Sequence, residues 1–180
     1  MTVFRLRFHA RDLDYWASRY DESYDRRFRV EEVTQRIRRE GYLTKPDFLT
    51  LCRWKSPRIA GLCSENPEEF IKAVTQTALS TTDERLRIEV LTLLHGVGWP
   101  TASVILHFGA KAPYPILDVR ALWSLGIEQV PRYEFHLWWS YTLHCRELAG
   151  RYGVSMRTLD RALWQFSKDN PPRGDNTAAG

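Results

Sequence analysis

The segment Leu94-His95-Gly96-Val97-Gly98-Trp99-Pro100-Thr101-Ala102-Ser103 constrains this chain more than any other. An apolar helix runs into Gly96. Val97 is flanked by two glycines, so the backbone can reverse within a few residues and approach another backbone closely. Pro100 suits the first turn of a following helix, where its missing N–H costs nothing. The amides exposed at that helix start form a ready-made phosphate site. Shortly downstream, Tyr114-Pro115-Ile116-Leu117-Asp118-Val119-Arg120 delivers a carboxylate to the start of a third helix.

The chain has 180 residues, enough for one compact domain or two small helical lobes with a core. No run approaches the roughly 18 apolar residues that a membrane-spanning helix needs. The first residues lack the long apolar stretch of a signal peptide. Cys52, Cys63 and Cys145 are odd in number and far apart, without metal-ligand spacing. Free thiols in a reducing cytoplasm are the expectation, with no membrane partner and no metal site. The net charge of +4 leans mildly towards an anionic partner. Only five of the 26 basic residues are lysines. Arginine's planar fork suits phosphate, although a GC-rich coding sequence would favour arginine equally.

The pattern predicts an all-α chain of eight or nine helices, with an extended piece at most over Val3 to Phe8. A short helix is expected around Asp12 to Tyr20. An amphipathic one is expected over Arg26 to Glu40, with Phe28, Val33 and Ile37 on one face and Gly41 ending it. Thr44-Lys45-Pro46-Asp47 resembles a capping box in an Asp variant, opening a helix that runs to about Trp54. Asn66-Pro67-Glu68-Glu69 starts another, with Asn66 as cap. Ser80 to Glu84 caps the helix leading to the hairpin, where Leu86, Val90, Leu93 and Leu94 would share a buried face. Two further helices follow over Tyr133 to Ala149 and Ser155 to Phe166, separated by Gly150 and Gly153. The Pro/Gly/Asn/Ala-rich tail reads as disordered.

The glycine hairpin, followed by Ile116-Leu117-Asp118, resembles the helix-hairpin-helix Gly/Pro-Asp signature of the endonuclease three and alkyladenine glycosylase superfamily of DNA glycosylases. The resemblance is strongest from about Pro46 to Gly126. It implies a helix-hairpin-helix glycosylase fold in residues 1–168, with two helical lobes and the active site between them. Residues 46–117 would form the hairpin lobe, residues 1–45 and 118–168 the second, and residues 169–180 a disordered tail. Pro100 stands where bifunctional members carry a catalytic lysine, eighteen residues before Asp118. Proline has no amine to attack a sugar. The resemblance therefore implies a monofunctional enzyme, with no lyase activity from that position. The cysteine loop of the iron–sulfur members is absent, so no cluster is expected. His95 replaces the usual proline before the first glycine.

In that family an aspartate at the position of Asp118 stabilises the cationic sugar as the base departs and aligns water. Asp118 would serve equally well as a plain helix N-cap. The phosphate grips would be backbone amides around Gly96, Gly98 and Thr101, with Trp99 at the tip, and a monovalent cation could sit on the hairpin carbonyls near Gly96 and Gly98. The break at Trp54-Lys55-Ser56-Pro57-Arg58 falls where family members fill the vacated base stack, so Trp54 and Trp99 are the wedge or pocket candidates. Lys55 and Arg58 are phosphate or opposite-base contacts, or else a solvated basic turn. The implied partner is double-stranded DNA, met by a monomer in a bacterial, nucleoid-associated cytoplasmic setting. The implied substrates are alkylated bases in DNA repair, or hypermodified cytosine such as the glucosylated hydroxymethyl form in defence against phage. The rivals are a non-catalytic DNA-binding module and an abasic-site lyase using another amine, such as Lys55 or the N-terminus.

Overall fold

The computed structural model describes residues 3–171. Among them are eleven α-helices, three short 3-10 segments and no strand. The helices are α1 (Leu13–Ser18), α2 (Ser23–Arg27), α3 (Val30–Glu40), α4 (Lys45–Lys55), α5 (Ala60–Ser64), α6 (Glu68–Ser80), α7 (Glu84–Glu89), α8 (Trp99–Gly109), α9 (Val119–Ser124), α10 (Phe135–Tyr152) and α11 (Met156–Asp169). The architecture is all-α. Residues near Val3 form no strand; the amides of Arg5 and Arg7 donate to the carbonyls of Leu125 and Ser124 at the end of α9.

Several helix starts follow from their caps. Thr44 Oγ1 accepts from the Asp47 amide at the head of α4, with Pro46 in the first turn. Asp83 accepts from Leu86 N at 2.7 Å and Ser155 from Thr158 N at 3.0 Å. These bonds satisfy amides that a helix start otherwise leaves without a partner.

Four expectations about the helices change. The helix expected over Arg26 to Glu40 is broken at Arg29, which adopts a left-handed φ of 50°. The break separates α2, which carries Tyr24 and Asp25, from α3, which buries Val30, Val33, Thr34 and Ile37. Before the hairpin, α7 tightens into a 3-10 segment over Val90–Leu93. In that geometry residues three apart align. The buried set is therefore Ile88, Leu91 and Leu94, while Leu86 and Leu93 stay exposed. Helix α10 continues through Gly150 and ends at Gly153. Helix α11 continues to Asp169, beyond the expected end, because its apolar stripe keeps burying residues as far as Phe166 and Ser167. The tail expectation otherwise falls on residues 172–180, outside the described residues.

One continuous core runs through the molecule, with Phe48, Tyr114, Trp138 and Tyr141 among its largest fully buried side chains. Helices α3, α4 and α6 pack on α8, whereas α1 and α9 pack on α11. The segment from Tyr114 to Asp118 crosses from the first group to the second.

Candidate active site

The hairpin takes the tight form that its glycines require. Val97 N donates to the Leu94 carbonyl at 3.0 Å, and Gly96 has φ 82°. A Cβ at Gly96 would lie 2.9 Å from Cys63 Sγ and 3.0 Å from the Cys63 amide nitrogen. Only glycine fits both the dihedral and the contact. Gly98 differs, with φ −94° and nothing closer to an added Cβ than Pro100 Cδ at 3.8 Å.

Asn66 holds the turn from behind. Its Oδ1 accepts from His95 N at 2.8 Å, and its Nδ2 donates to the carbonyls of His95 and Cys63 at 2.9 Å. Asn66 is thus a clamp on the hairpin and not the cap of α6, whose N-cap position is Pro67. Cys52 and Cys63, distant in sequence, meet beneath the turn as a hydrogen-bonded pair that raises the Cys52 thiol pKa and lowers that of Cys63.

The amides of Gly98, Trp99 and Thr101 have no acceptor among the described residues. They are the groups a phosphate would meet. The Leu94 and Gly98 carbonyls are used within the hairpin and that of His95 by Asn66. A cation here would draw on the carbonyls of Gly96 and Val97, which have no donor among the described residues.

A buried strap connects the hairpin helix to Asp118. Ser103 Oγ accepts from Leu117 N at 2.8 Å while donating to the Pro100 carbonyl. His107 Nδ1 lies 2.7 Å from the Tyr114 carbonyl, and Tyr141 donates to the Ile116 carbonyl at 2.9 Å. Burial, and after it the charge of Arg157, pushes His107 down to about 3, so the ring is neutral. With Nδ1–H donating to Tyr114, the bare nitrogen is Nε2.

Asp118 stands at the N-cap of α9, with Oδ1 accepting from Arg120 N at 2.8 Å. Its other oxygen, Oδ2, pairs with Lys55 Nζ at the end of α4. Both side chains are largely enclosed, Lys55 14% and Asp118 19% exposed. The aspartate is therefore a helix cap and an ion-pair partner at once.

Lys55 and Asp118 line a cavity of about 360 Å³, which falls in the size range of small-ligand pockets. Its walls come from the α1–α2 region (Tyr20, Asp21, Tyr24), the end of α4 (Trp54, Lys55), the strap (Ile116, Asp118) and α11 (Arg157, Asp160, Trp164, Lys168). The two aromatic sides differ in rigidity. Trp54 is pinned by its Nε1–H to Asp25 at 2.9 Å and by edge-on packing against Phe108. Trp164 is half-buried and edge-on to Tyr20, with the Arg120 and Lys168 cations 5.6 and 5.2 Å from its ring centroid.

Beneath them, Arg157 joins Asp25 and Asp160. Burial opposes ionised Asp25, but Arg157, with hydrogen bonds from Arg157, Arg161 and Trp54, holds its carboxyl below the usual range. Asp160 is more deeply enclosed, and burial pushes it up to about 6 against the opposing charges of Arg157 and Lys55. A carboxylate paired with an amine, in a cavity lined also by a carboxyl group raised to about 6, can exchange protons with a bound substrate and stabilise positive charge. A larger depression of about 680 Å³ lies on the other side of Arg157 and does not include Asp118 or Lys55.

The structure brings together three of the residues singled out in the sequence: Asp118, Lys55 and Trp54. Lys55 is paired with Asp118 and is not a solvent-facing phosphate contact. It closes α4, and the strap lays Asp118 over that end. Arg58 is exposed on the following 3-10 turn. Trp99 is half-buried against the core and does not line the Asp118 cavity, because the hairpin tip points its first helical residue back onto the fold. The Thr101 side chain is buried, which leaves only its amide for binding. Sequence reasoning missed Asp160, Arg157, Trp164 and Lys168, all on α11. Trp164 reads as core on helical periodicity, and nothing local marks Asp160. Comparison with protein-family models, with curated proteins and with solved structures gives no match.

Proposed function

We propose that this chain is a DNA glycosylase of the helix-hairpin-helix kind. It turns a modified or damaged nucleotide out of duplex DNA and hydrolyses its N-glycosidic bond, leaving an abasic site. The observation that carries the reading is the place of Asp118. A carboxylate held at a helix start faces an aromatic-walled cavity between two groups of helices, tied through Ser103 to the helix that follows a double-glycine turn.

Each part has a role in that reaction. The amides of Gly98, Trp99 and Thr101 hold a backbone phosphate, with Arg58 as a further contact. The flipped base enters between Trp54 and Trp164, where stacking compensates for the stack it left. As the C1′–N bond breaks, its electron pair leaves with the base and positive charge grows on the sugar. Asp118 stabilises that charge and directs water to C1′. Pro100 leaves the hairpin without an amine. We place the enzyme as a monomer in the bacterial cytoplasm, associated with the nucleoid. In the described residues no helix is long and apolar enough to cross a membrane.

The test is base release from duplexes carrying alkylated purines and from DNA carrying glucosylated hydroxymethylcytosine, read as free base and as abasic sites. The wild type is expected to release base from at least one of these. Asp118→Asn is expected to bind the same DNA without releasing base. The responsive substrate separates a repair role from phage defence. Full activity in the Asp118→Asn variant overturns the mechanism, and duplex binding without base release from any of these DNAs favours a non-catalytic binding module.

A further inference from the structure

The depression of about 680 Å³ beyond Arg157 is larger than the Asp118 cavity and takes no part in the chemistry described above. Its walls are α2 and α3, the end of α8 with the loop after it, and the first turn of α11. Six basic and four acidic side chains line it, so it carries an excess of positive charge. Most of the guanidinium groups already have carboxylates: Arg26 has Glu22, Arg29 has Glu32, Arg157 has Asp25 and Asp160, and Arg161 has Glu22 and Asp25. Arg38 and Lys111 are the exceptions. Both are exposed, and neither has an ion-pair or hydrogen-bond partner among the described residues. Arg38 stands on α3 with Glu31 and Thr34, which line the depression at helical spacing. One Glu31 carboxylate oxygen accepts from Gln35, and the other has no partner among the described residues.

The floor is different in kind. Phe108 and Met156 are buried there beside His107. The His107 ring is neutral, with Nδ1–H donating to the Tyr114 carbonyl, so Nε2 is an acceptor without a partner among the described residues. The charges of Arg157 and Arg38 reach this ring and oppose its protonation. A neutral acceptor among apolar neighbours suits a flat ring that carries an N–H. Arg29, on the same wall, holds a left-handed φ of 50°, a strain that persists only where surrounding structure fixes it and that recurs at ligand clamps.

We propose that this depression is a second binding site, which takes a free nucleoside diphosphate. The base enters over Phe108 and donates an N–H to His107 Nε2. The sugar hydroxyls donate to Glu31. The phosphates are held by Arg38 and Lys111, cations supplied by two different segments of the chain. The site is separate from the Asp118 cavity, with Arg157 as the partition between them.

The experiment is a calorimetric titration of the full chain with ADP, in the absence of DNA. The expected result is saturable binding, about tenfold or more tighter than that of adenosine, which lacks the phosphates, or of pyrophosphate, which lacks the ring. Arg38→Glu and Lys111→Glu are each expected to weaken ADP about tenfold or more at unchanged melting temperature, because both side chains are exposed. Trp164→Ala, in the other cavity, is expected to bind ADP as the wild type does. The ¹⁵N signal of His107 Nε2 is expected to move on addition of ADP and to stay in place on addition of pyrophosphate. No binding of ADP at millimolar concentration overturns the proposal. So does equal affinity for pyrophosphate, which would leave only an anion contact, or undiminished ADP binding in both charge-reversed variants. Loss of ADP binding in Trp164→Ala at unchanged melting temperature would place the nucleotide in the Asp118 cavity and overturn it as well. If the charge reversals weaken duplex binding while ADP does not bind, the depression is a contact for the DNA backbone and the proposal fails. Base release is not measured in any of these arms, so the glycosylase reading stands or falls separately.

Discussion

The turn at Gly96–Gly98 is closed by bonds between residues three positions apart, with one distant residue, Asn66, behind it. The cavity around Asp118 draws its walls from four separated segments between Tyr20 and Lys168. The first region is a backbone conformation, and the residues that permit it lie side by side. The second is a set of side chains whose only relation is that packing brings them together. A change in the turn should therefore show first as lost stability. A change in the cavity should show first as lost chemistry.

The largest expected effect lies in the cavity. Asp118→Asn keeps the size of the side chain and an acceptor for Arg120 N, so the fold should hold. Base release should fall by roughly 10²- to 10³-fold or more, the cost of losing an electrostatic group aimed at a developing charge. A variant that unfolds as readily as it loses activity would break the contrast between the two regions.

Gly96→Ala tests the other side. It forces a side chain into a left-handed dihedral and against Cys63, and should cost about 2–4 kcal/mol in denaturant unfolding. Unchanged stability would mean that the turn is not closed against α5 as described.

Ser103→Ala sits between the two regions. The Leu117 amide, fully buried, would lose its acceptor. The expected cost is about 1–3 kcal/mol, accompanied by loss of activity because the strap carries Asp118. Stability loss without activity loss would separate hairpin and cavity more sharply than we have drawn them.

Proton linkage gives a smaller, signed effect. The folded pKa of His107 is lowered to about 3 from an ordinary 6.5. The unfolded chain therefore binds the extra proton between those values. Its stabilisation is full above pH 6.5 and is lost as pH falls. Asp160 is raised to about 6 from 3.8, so the folded chain binds the extra proton there, and stability from this group rises as pH falls from 6 towards 4. Each slope is at most about 1.4 kcal/mol per pH unit, and the two oppose. Between pH 4.5 and 6 the wild type should be nearly flat. Asp160→Asn should lose stability on acidification and His107→Asn should gain it, read from unfolding midpoints. Parallel profiles in all three proteins would refute the assignment.

The smallest expected effect is Gly98→Ala. Its dihedral and surroundings accept a Cβ, so stability should move by no more than about 0.5 kcal/mol. Weaker duplex binding at unchanged stability would show that Gly98 serves phosphate approach where Gly96 serves the fold.

The all-helical class, the capped starts at Thr44 and within Ser80 to Glu84, and the glycine turn were legible because each depends on neighbours in sequence. The face of α7 was misread because a switch to 3-10 geometry changes which residues align, and that switch is set by packing into the turn. The break at Arg29 was hidden because its neighbours on both sides favour helix. Asp118 and Trp54 could be singled out locally. The Lys55–Asp118 pair could not, since 63 positions separate them. Asp160 and Trp164 looked like ordinary members of an amphipathic helix, and only the face that α11 turns to the cavity gives them a role.

The sequence by itself determined the all-helical class, the cap at Thr44 and a turn that no residue but glycine can make at Gly96, because these are decided by dihedrals and by hydrogen bonds between near neighbours. The tertiary structure decided that the amine of α4 meets the carboxylate of the strap, that Asp160 is buried beside them, and that Trp164 faces space and not core. Those are outcomes of packing one helix on another. The free energy of an ion pair or a buried carboxyl depends on its surroundings in space, which the order of residues along the chain does not display.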